Sequence, residues 1–321
     1  MSDEEDIKEK AAAILALMMT PGGGRVRVNE IINACRRKSI EFPDVLVVPL
    51  QQSTRLFEHL SPSALSLIAQ CGEREKRRAK QLVERVIRSG GYVLVCDRTD
   101  YPSSLKNHLG KYVAPLLWTF GSLSLLKEDG AAVVGRTKPS FTGRICAETI
   151  ACALASEHAP LVSGGAIGVD LAAHRAVLDA GGKTIVVLPQ GLLTAKLPRW
   201  LEQSLAQGNA VLVSEFVPDA AWETYAAVTR NATIAALSSV VFVVEPGRLH
   251  GSARTAQCAL EQNKQVVVIS SEESSEMADV LVRAGARLVV EPDATTVSRI
   301  AKAIWQQRNS TKNLGGTGLL F

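Results

Sequence analysis

A chain of 321 residues, 46% hydrophobic and 21% charged, exceeds one small domain and can bury a large core, so a medium domain with a smaller companion is expected. No apolar stretch reaches the roughly 20 residues of a membrane span, and the acidic start MSDEEDIKEK lacks the basic and apolar regions of a signal peptide. Membrane-embedded and exported classes are therefore not expected, which leaves the cytoplasm. A net charge of +4 is too small to establish a nucleic-acid partner, so the distribution of charge matters more than its sum.

Residues 1–91 are expected as a small helical N-terminal domain. AAAILALMM, VNEIINACRRK and EKRRAKQLVERVIRSGG are amphipathic segments separated by Pro and Gly stretches. The turn TPGGGRVRVNE is open to two readings: a plain interhelical loop, or a helix-hairpin-helix (SAM-like) connection that grips a phosphate with its amides. In CGEREKRRAKQLVERVIR, Arg74, Lys76, Arg77, Arg78, Lys80, Arg85 and Arg88 fall close together, which reads first as a solvated face and second as a polyanion contact.

From residue 92 to 305 the texture changes. YVLVCD, PLLWTFG, GAAVVG, PLVSGG, KTIVVLP, AVLVSE, SVVFVVEP, QVVVIS and ARLVVEP are short apolar runs with helix-length spacers. The expected fold is α/β, a Rossmann-like, mostly parallel sheet with helices on both faces. Residues 306–321, rich in Gly and Asn, are expected as a flexible tail without helical periodicity. The six cysteines form no CxxC pair and are expected as buried reduced thiols rather than metal ligands.

Ligands of open α/β sheets gather outside the carboxyl ends of the strands. There the chain places Gly135, Arg136 and Lys138 after AAVVG, and Ser163, Gly164, Gly165 and Gly168 in SGGAIG. Arg230 and Asn231 lie before SVVFVVEP, and Gly251, Ser252 and Thr255 after it. Glycines admit a ligand to the backbone, helix N-termini favour anions, and cations with hydroxyls complete a phosphate pocket. Lys183 in GGKT is a further candidate cation, and Trp200, Trp222 and Tyr225 are candidate stacking residues. GxGxxG, a Walker loop and a GxSxG elbow are all absent. Asp170 and His174 share a helix face and read better as a dipole partner and a hydrogen-bonding residue than as a catalytic pair. Glu215 and Glu245 end two strands and are the only good candidates for a general base. No catalytic residue, metal or cofactor is expected.

The order of these turns resembles the DNA-processing protein A (DprA/Smf) family. The resemblance is carried by VSGGAIGVDLAAHRAVLDAGGKTIVVLPQGL, then LVSE, then RNATIAALSSVVFVVEPGRLHGSARTAQCALE, with DRTDYPSSL and APLLWTFGSLSLL upstream. It implies a Rossmann-like core that binds single-stranded DNA, forms a homodimer, and delivers DNA to the recombinase RecA in natural transformation. With only about thirty residues after ARLVVEP, a counterpart of the family's C-terminal winged helix is not expected in this sequence. The family's VGSR becomes VGRT, its RNR becomes RNA with Ala232 in place of the second arginine, its FP becomes Ala227-Val228, and its SG becomes His250-Gly251. These departures motivate an overlapping reading as a regulator in phage defence or beside a cognate toxin. The competing class is a nucleotide-binding sensor, or an enzyme resembling nucleotide phosphoribohydrolases. Those enzymes carry a PGGxGTxxE loop, and Cys258 stands where its glutamate would be.

Overall fold

The computed structural model describes residues 3–46, 58, 60–247, 251–270, 276–290 and 292–315. They fall into two compact units. The smaller comprises residues 1–120, 188–196 and 213–226, and the larger 121–187, 197–212 and 227–321.

In the smaller unit the helices are α1 (Asp3–Met19), α2 (Arg25–Lys38), α3 (Pro62–Gln70) and α4 (Glu73–Arg88). Strand β1 (Tyr92–Val95), helix α5 (Ser103–Leu109) and strand β2 (Leu116–Gly121) follow, with β1 and β2 antiparallel. α1 is apolar enough to bury Ile14, Leu15 and Leu17 completely. α4 buries Ala79, Leu82, Val83 and Val86, the i, i+3, i+4, i+7 stripe of a helix with one core-facing side. Its first turn carries Glu73 and Glu75 and its last Arg85 and Arg88, both placed favourably along the helix dipole. α3 starts at Ser61, whose hydroxyl accepts from the Ala64 amide. In the turn between α1 and α2, the Gly23 amide donates to Thr20 O and the Gly24 amide to Gly22 O, both at 2.8 Å. Those amides close an interhelical loop.

The helical segment 1–91 shares its unit with the residues that follow, through polar ties. Asn29 donates to the Lys111 and Val113 carbonyls at 3.1 and 2.8 Å, and Lys10 pairs with Asp97 at 2.7 Å. Tyr101 donates to Ala114 O at 2.9 Å, and burial holds its hydroxyl pKa well above the ordinary tyrosine value.

The larger unit contains β3 (Gly130–Gly135), α6 (Phe141–Ser156), β4 (Leu161–Ser163), α7 (Val169–Asp179), β5 (Thr184–Val187) and α8 (Arg199–Ala206). It continues with β6 (Ala210–Ser214), α9 (Thr224–Ala236), β7 (Ser238–Val244), α10 (Gly251–Glu261) and β8 (Gln265–Ser270). It ends with α11 (Glu276–Arg283), β9 (Arg287–Val290) and α12 (Ala294–Gly315). The first residues of β6 and the remainder of α9 belong to it. Its strands run β5-β4-β3-β7-β8-β9, every registered pair parallel.

Ala131, Val133, Val240, Phe242 and Val244 face a core built with α6, α7 and α12. The alternate residues Ala132, Val134, Val241 and Val243 are equally buried on the other face, where α10 packs against β3, β7 and β8. Burial on both faces makes β3 and β7 continuous apolar runs, as expected of a parallel sheet.

Two expectations change. The segment after Gln306 continues α12 as far as Gly315, because Val297, Ala301, Ile304 and Trp305 anchor the preceding turns in the core and propagation adds one hydrogen bond per residue. The last six residues lie outside the described residues. Four cysteines are buried, but Cys96 is half-buried and Cys152 exposed. α6 buries Ile150, Ala151, Ala153 and Leu154, and that helical phase turns Cys152 to solvent. Among the described residues no helix is long and apolar enough to cross a membrane, and no cluster of three or more His, Cys, Asp or Glu could hold a metal ion.

Candidate functional site

From β3 the chain crosses through α6 to β4, whereas from β7 it crosses through α10 to β8 on the other side. Divergent connections from neighbouring strands leave a crevice at their carboxyl ends. Two helix N-termini, those of α6 and α10, open there.

The first is filled by Glu245, the residue following β7. Its carboxylate accepts the Ser140 amide at 2.8 Å and the Ser140 hydroxyl. The hydroxyl oxygen in turn accepts the Gly143 amide at 2.9 Å, capping α6. Glu245 has φ of 48°, a left-handed conformation costing about 1–2 kcal/mol in a residue with a Cβ. Its amide is held by Ile269 O at 2.8 Å. The candidate base is thus committed to the backbone and cap of α6.

The second terminus is built differently. α10 begins at Gly251, and a Cβ there would lie 3.2 Å from Asn231 Nδ2, so the amide of Asn231 sits beside the first turn of α10. Thr255 donates to Gly251 O at 3.0 Å. Asn231 and Ser252 are 2% and 6% exposed, and Asn231 Nδ2 and Ser252 Oγ find no hydrogen-bond partner among the described residues. A buried donor without an acceptor costs about 1–3 kcal/mol. Both donors lie at the first turn of α10, where the helix dipole favours an anion. The parallel register sets Gly135 opposite Val244. Arg136 and Lys138 therefore follow at the same end of the sheet, exposed and without an ion pair among the described residues.

The glycine turn after β4 is spent internally. The Gly164 amide donates to Asp170 Oδ2 at 3.2 Å, and Ser163 donates to Val133 O at 2.6 Å. Gly168, with φ of 98°, is required because a Cβ there would come within 2.5 Å of the Arg136 and Thr137 carbonyls. Gly165 closes the same turn. The guanidinium of Arg230 lies directly over Gly164, donates to Val187 O at 3.3 Å, and is 7% exposed. The expected phosphate cation is turned inward, where it faces Asp170. Burial raises the Asp170 carboxyl, and Arg230 with the Ala166 and Gly164 amides draws it part of the way back.

His174 is fully buried. Its Nδ1 lies 2.6 Å from Thr184 Oγ1, whose own hydrogen goes to Leu161 O at 3.0 Å. Nδ1 must therefore carry the imidazole proton and donate it. Burial, and then the charge of Arg230, lower the His174 pKa to about 3.

Gly135, Arg136, Lys138, Asn231, Gly251, Ser252 and Thr255 thus meet around the carboxyl ends of β3 and β7. Lys183 does not join them. It immediately precedes β5 at the amino end of the sheet, where it pairs with Glu128 at 3.4 Å. Trp200 is half-buried under Arg175, while Trp222 and Tyr225 are 57% and 64% exposed. In the smaller unit, Glu215 is held by Arg25 at 3.1 Å with its side chain 1% exposed, as a buried ion pair rather than a base. Sequence reasoning missed Phe141, the first residue of α6, and Ile167, in the loop after β4, 82% and 76% exposed. Phe141 was detectable, because an aromatic side chain immediately after a Ser cap leads a helix from its solvent end.

Comparison with known proteins follows this geometry. Protein Smf of Escherichia coli (strain K12) is 36% identical over 61% of this chain and 50% of its own length. The putative DNA processing protein DprA of Mycobacterium tuberculosis is 32% identical over 68% of this chain and 60% of its own. The chain therefore spans about half to three-fifths of these relatives. Among solved structures, the DNA processing protein A of Streptococcus pneumoniae superposes with a TM-score of 0.67 at 24% identity, covering 90% of this chain and 95% of that one. DNA processing protein A of Helicobacter pylori, described for its unique single-stranded DNA binding mode, superposes with a TM-score of 0.55 at 23% identity over 68% of this chain and 96% of that one. At these identities the likeness shows the fold. The sequence family described as DNA recombination-mediator protein A matches residues 92–301, and the chain belongs to that family.

Proposed function

We propose that this chain binds single-stranded DNA without cleaving it, holding a backbone phosphate at the N-terminus of α10. The observation that carries this reading is the pair of buried donors at the first turn of α10: Asn231 Nδ2 beside Gly251, and Ser252 Oγ, both without a partner among the described residues. Arg136 and Lys138, exposed on the loop after β3, supply charge for neighbouring phosphates. Among the described residues the two candidate groups for hydrolysis are otherwise engaged: Glu245 is bonded to Ser140, and His174 is neutral and buried. The solved relative described for single-stranded DNA binding supports the choice of ligand.

The reading extends to a homodimeric protein acting in the cytoplasm, which presents DNA to a recombinase of the RecA type. Titration with oligo(dT) of increasing length tests its core. Affinity that grows with length and falls steeply with salt supports it. Saturation by a mononucleotide with salt-insensitive affinity overturns it.

A further inference from the structure

The smaller unit carries a charged surface that this phosphate site does not use. Burial of Ala79, Leu82, Val83 and Val86 fixes the rotation of α4, and the opposite face is solvent. Arg74, Arg78, Arg85 and Arg88 recur on that face at steps of four, seven and three residues, all exposed. At 3.6 residues per turn these positions fall within an arc of about 80°, and at 1.5 Å per residue the stripe is about 21 Å long. Arg77 flanks it. Glu84 bonds Arg88 at 3.0 Å and Asp219 bonds Arg78 at 3.2 Å, but Arg74, Arg77 and Arg85 make no ion pair among the described residues. Past the helix end, Ser89–Gly91 lead directly into Tyr92, an aromatic residue 50% exposed.

Such a face attracts a polyanion, and its composition selects among them. A helix lying on a lipid surface inserts an apolar stripe, yet none of the large exposed hydrophobic residues lies on α4. A line of guanidinium forks matches a row of phosphates. An exposed ring at its end matches the face of a base, the combination by which single strands are held without sequence preference.

We propose that the solvent face of α4, together with Tyr92, is a second contact for single-stranded nucleic acid. The arginines engage successive backbone phosphates and the ring of Tyr92 stacks on a base. The proposal rests on the reading of the larger unit as a DNA-binding body, since the same polymer is the ligand.

The test uses the full chain and labelled 40-nucleotide oligo(dT), with affinity followed by fluorescence anisotropy between 50 and 200 mM salt. In R74Q/R77Q/R85Q, three charges are lost. The slope of log K against log salt should become shallower by about 2, roughly a 20-fold smaller loss of affinity across that range. R74K/R77K/R85K should keep the slope, and Y92A should lower affinity at unchanged slope. Should the triple glutamine variant fail to fold, each single glutamine variant is expected to lower the slope by about 0.7. An unchanged slope overturns the proposal, as does a triple variant that loses only its binding to phosphatidylserine vesicles. If the unmodified protein binds no oligo(dT), both readings fall. If it binds and S252A weakens it while the arginine variants leave the slope intact, only this one falls.

Discussion

The guanidinium of Arg230 lies so close over Gly164 that a Cβ on the glycine would come within 1.2 Å of Nη1. The two residues are 66 positions apart in sequence, and their packing couples them. Gly164→Ala should overpack the turn and cost about 1–3 kcal/mol. Arg230→Ala should also destabilise the fold, since it removes the charge that partly offsets the burial of Asp170. In the double variant the clash is relieved, so G164A should cost less than it does alone. Denaturant unfolding of the four proteins measures this coupling, and strictly additive values would contradict the packing described.

His174 predicts a pH dependence of stability. Its folded pKa of about 3 lies below the ordinary value of about 6.5 in the unfolded chain. The unfolded state thus binds more protons between these values. The stability contributed by keeping His174 neutral is complete above pH ~6.5 and declines as pH falls toward 3, by up to about 1.4 kcal/mol per pH unit. Asp170, whose carboxyl is raised, acts with the opposite sign: its raised pKa makes folding more favourable as pH falls. The comparison is therefore with His174→Gln, which should show a shallower decline over this window. Parallel pH profiles for the two proteins would remove His174 as the cause.

The site around α10 separates neutral from charged contributions. Ser252→Ala and Asn231→Ala each delete an uncharged donor and should weaken oligo(dT) binding by about 1 kcal/mol, several-fold, with no change of salt slope. Arg136→Gln and Lys138→Gln should each make the slope shallower by about 0.7. Anisotropy titrations at three salt concentrations distinguish the patterns.

Lys183→Ala should leave DNA affinity unchanged, since this lysine stands at the amino end of the sheet beside Glu128. Their ion pair is exposed, so the effect on stability should stay below about 1 kcal/mol. A drop in affinity comparable to that of Lys138→Gln would place DNA at the wrong end of the sheet.

The cysteines give a further check on the core. Burial raises the Cys35 and Cys96 thiols to about 12, whereas Cys152 is exposed. A thiol reagent near neutral pH should label Cys152 first, and Cys35 only as the protein unfolds. Mass spectrometry of the early product identifies the site.

These residues also show what could be read in advance. All nine apolar runs from YVLVCD to ARLVVEP form strands; for inner strands such as β3 and β7 the reason is burial on both faces, which leaves a continuous apolar signature in the sequence. The loops at the carboxyl ends were legible for the same reason. The direction of a side chain was not: whether Arg230 points outward or onto Gly164 depends on packing between distant segments. Asp170 reads as an ordinary first-turn acid until the Gly164 amide is seen bonded to it. Lys183 was recoverable, since a residue immediately before a parallel strand lies away from the carboxyl-end loops. The sharing of one unit by residues 1–91 with residues 92–120, 188–196 and 213–226 rests on ties such as Asn29 to Val113, which no local pattern announces.

The two helices opening beside each other at the strand ends differ in who provides the negative charge. α6 receives its counter-anion from within the chain, covalently attached and always present in the form of Glu245. α10 carries Asn231 Nδ2 and Ser252 Oγ, buried and without a partner among the described residues. If the proposed phosphate site is there, inorganic phosphate or sulfate in the buffer should compete with DNA at α10 and not at α6. The strength of that competition measures how far binding depends on a single occupied helix end rather than on diffuse charge.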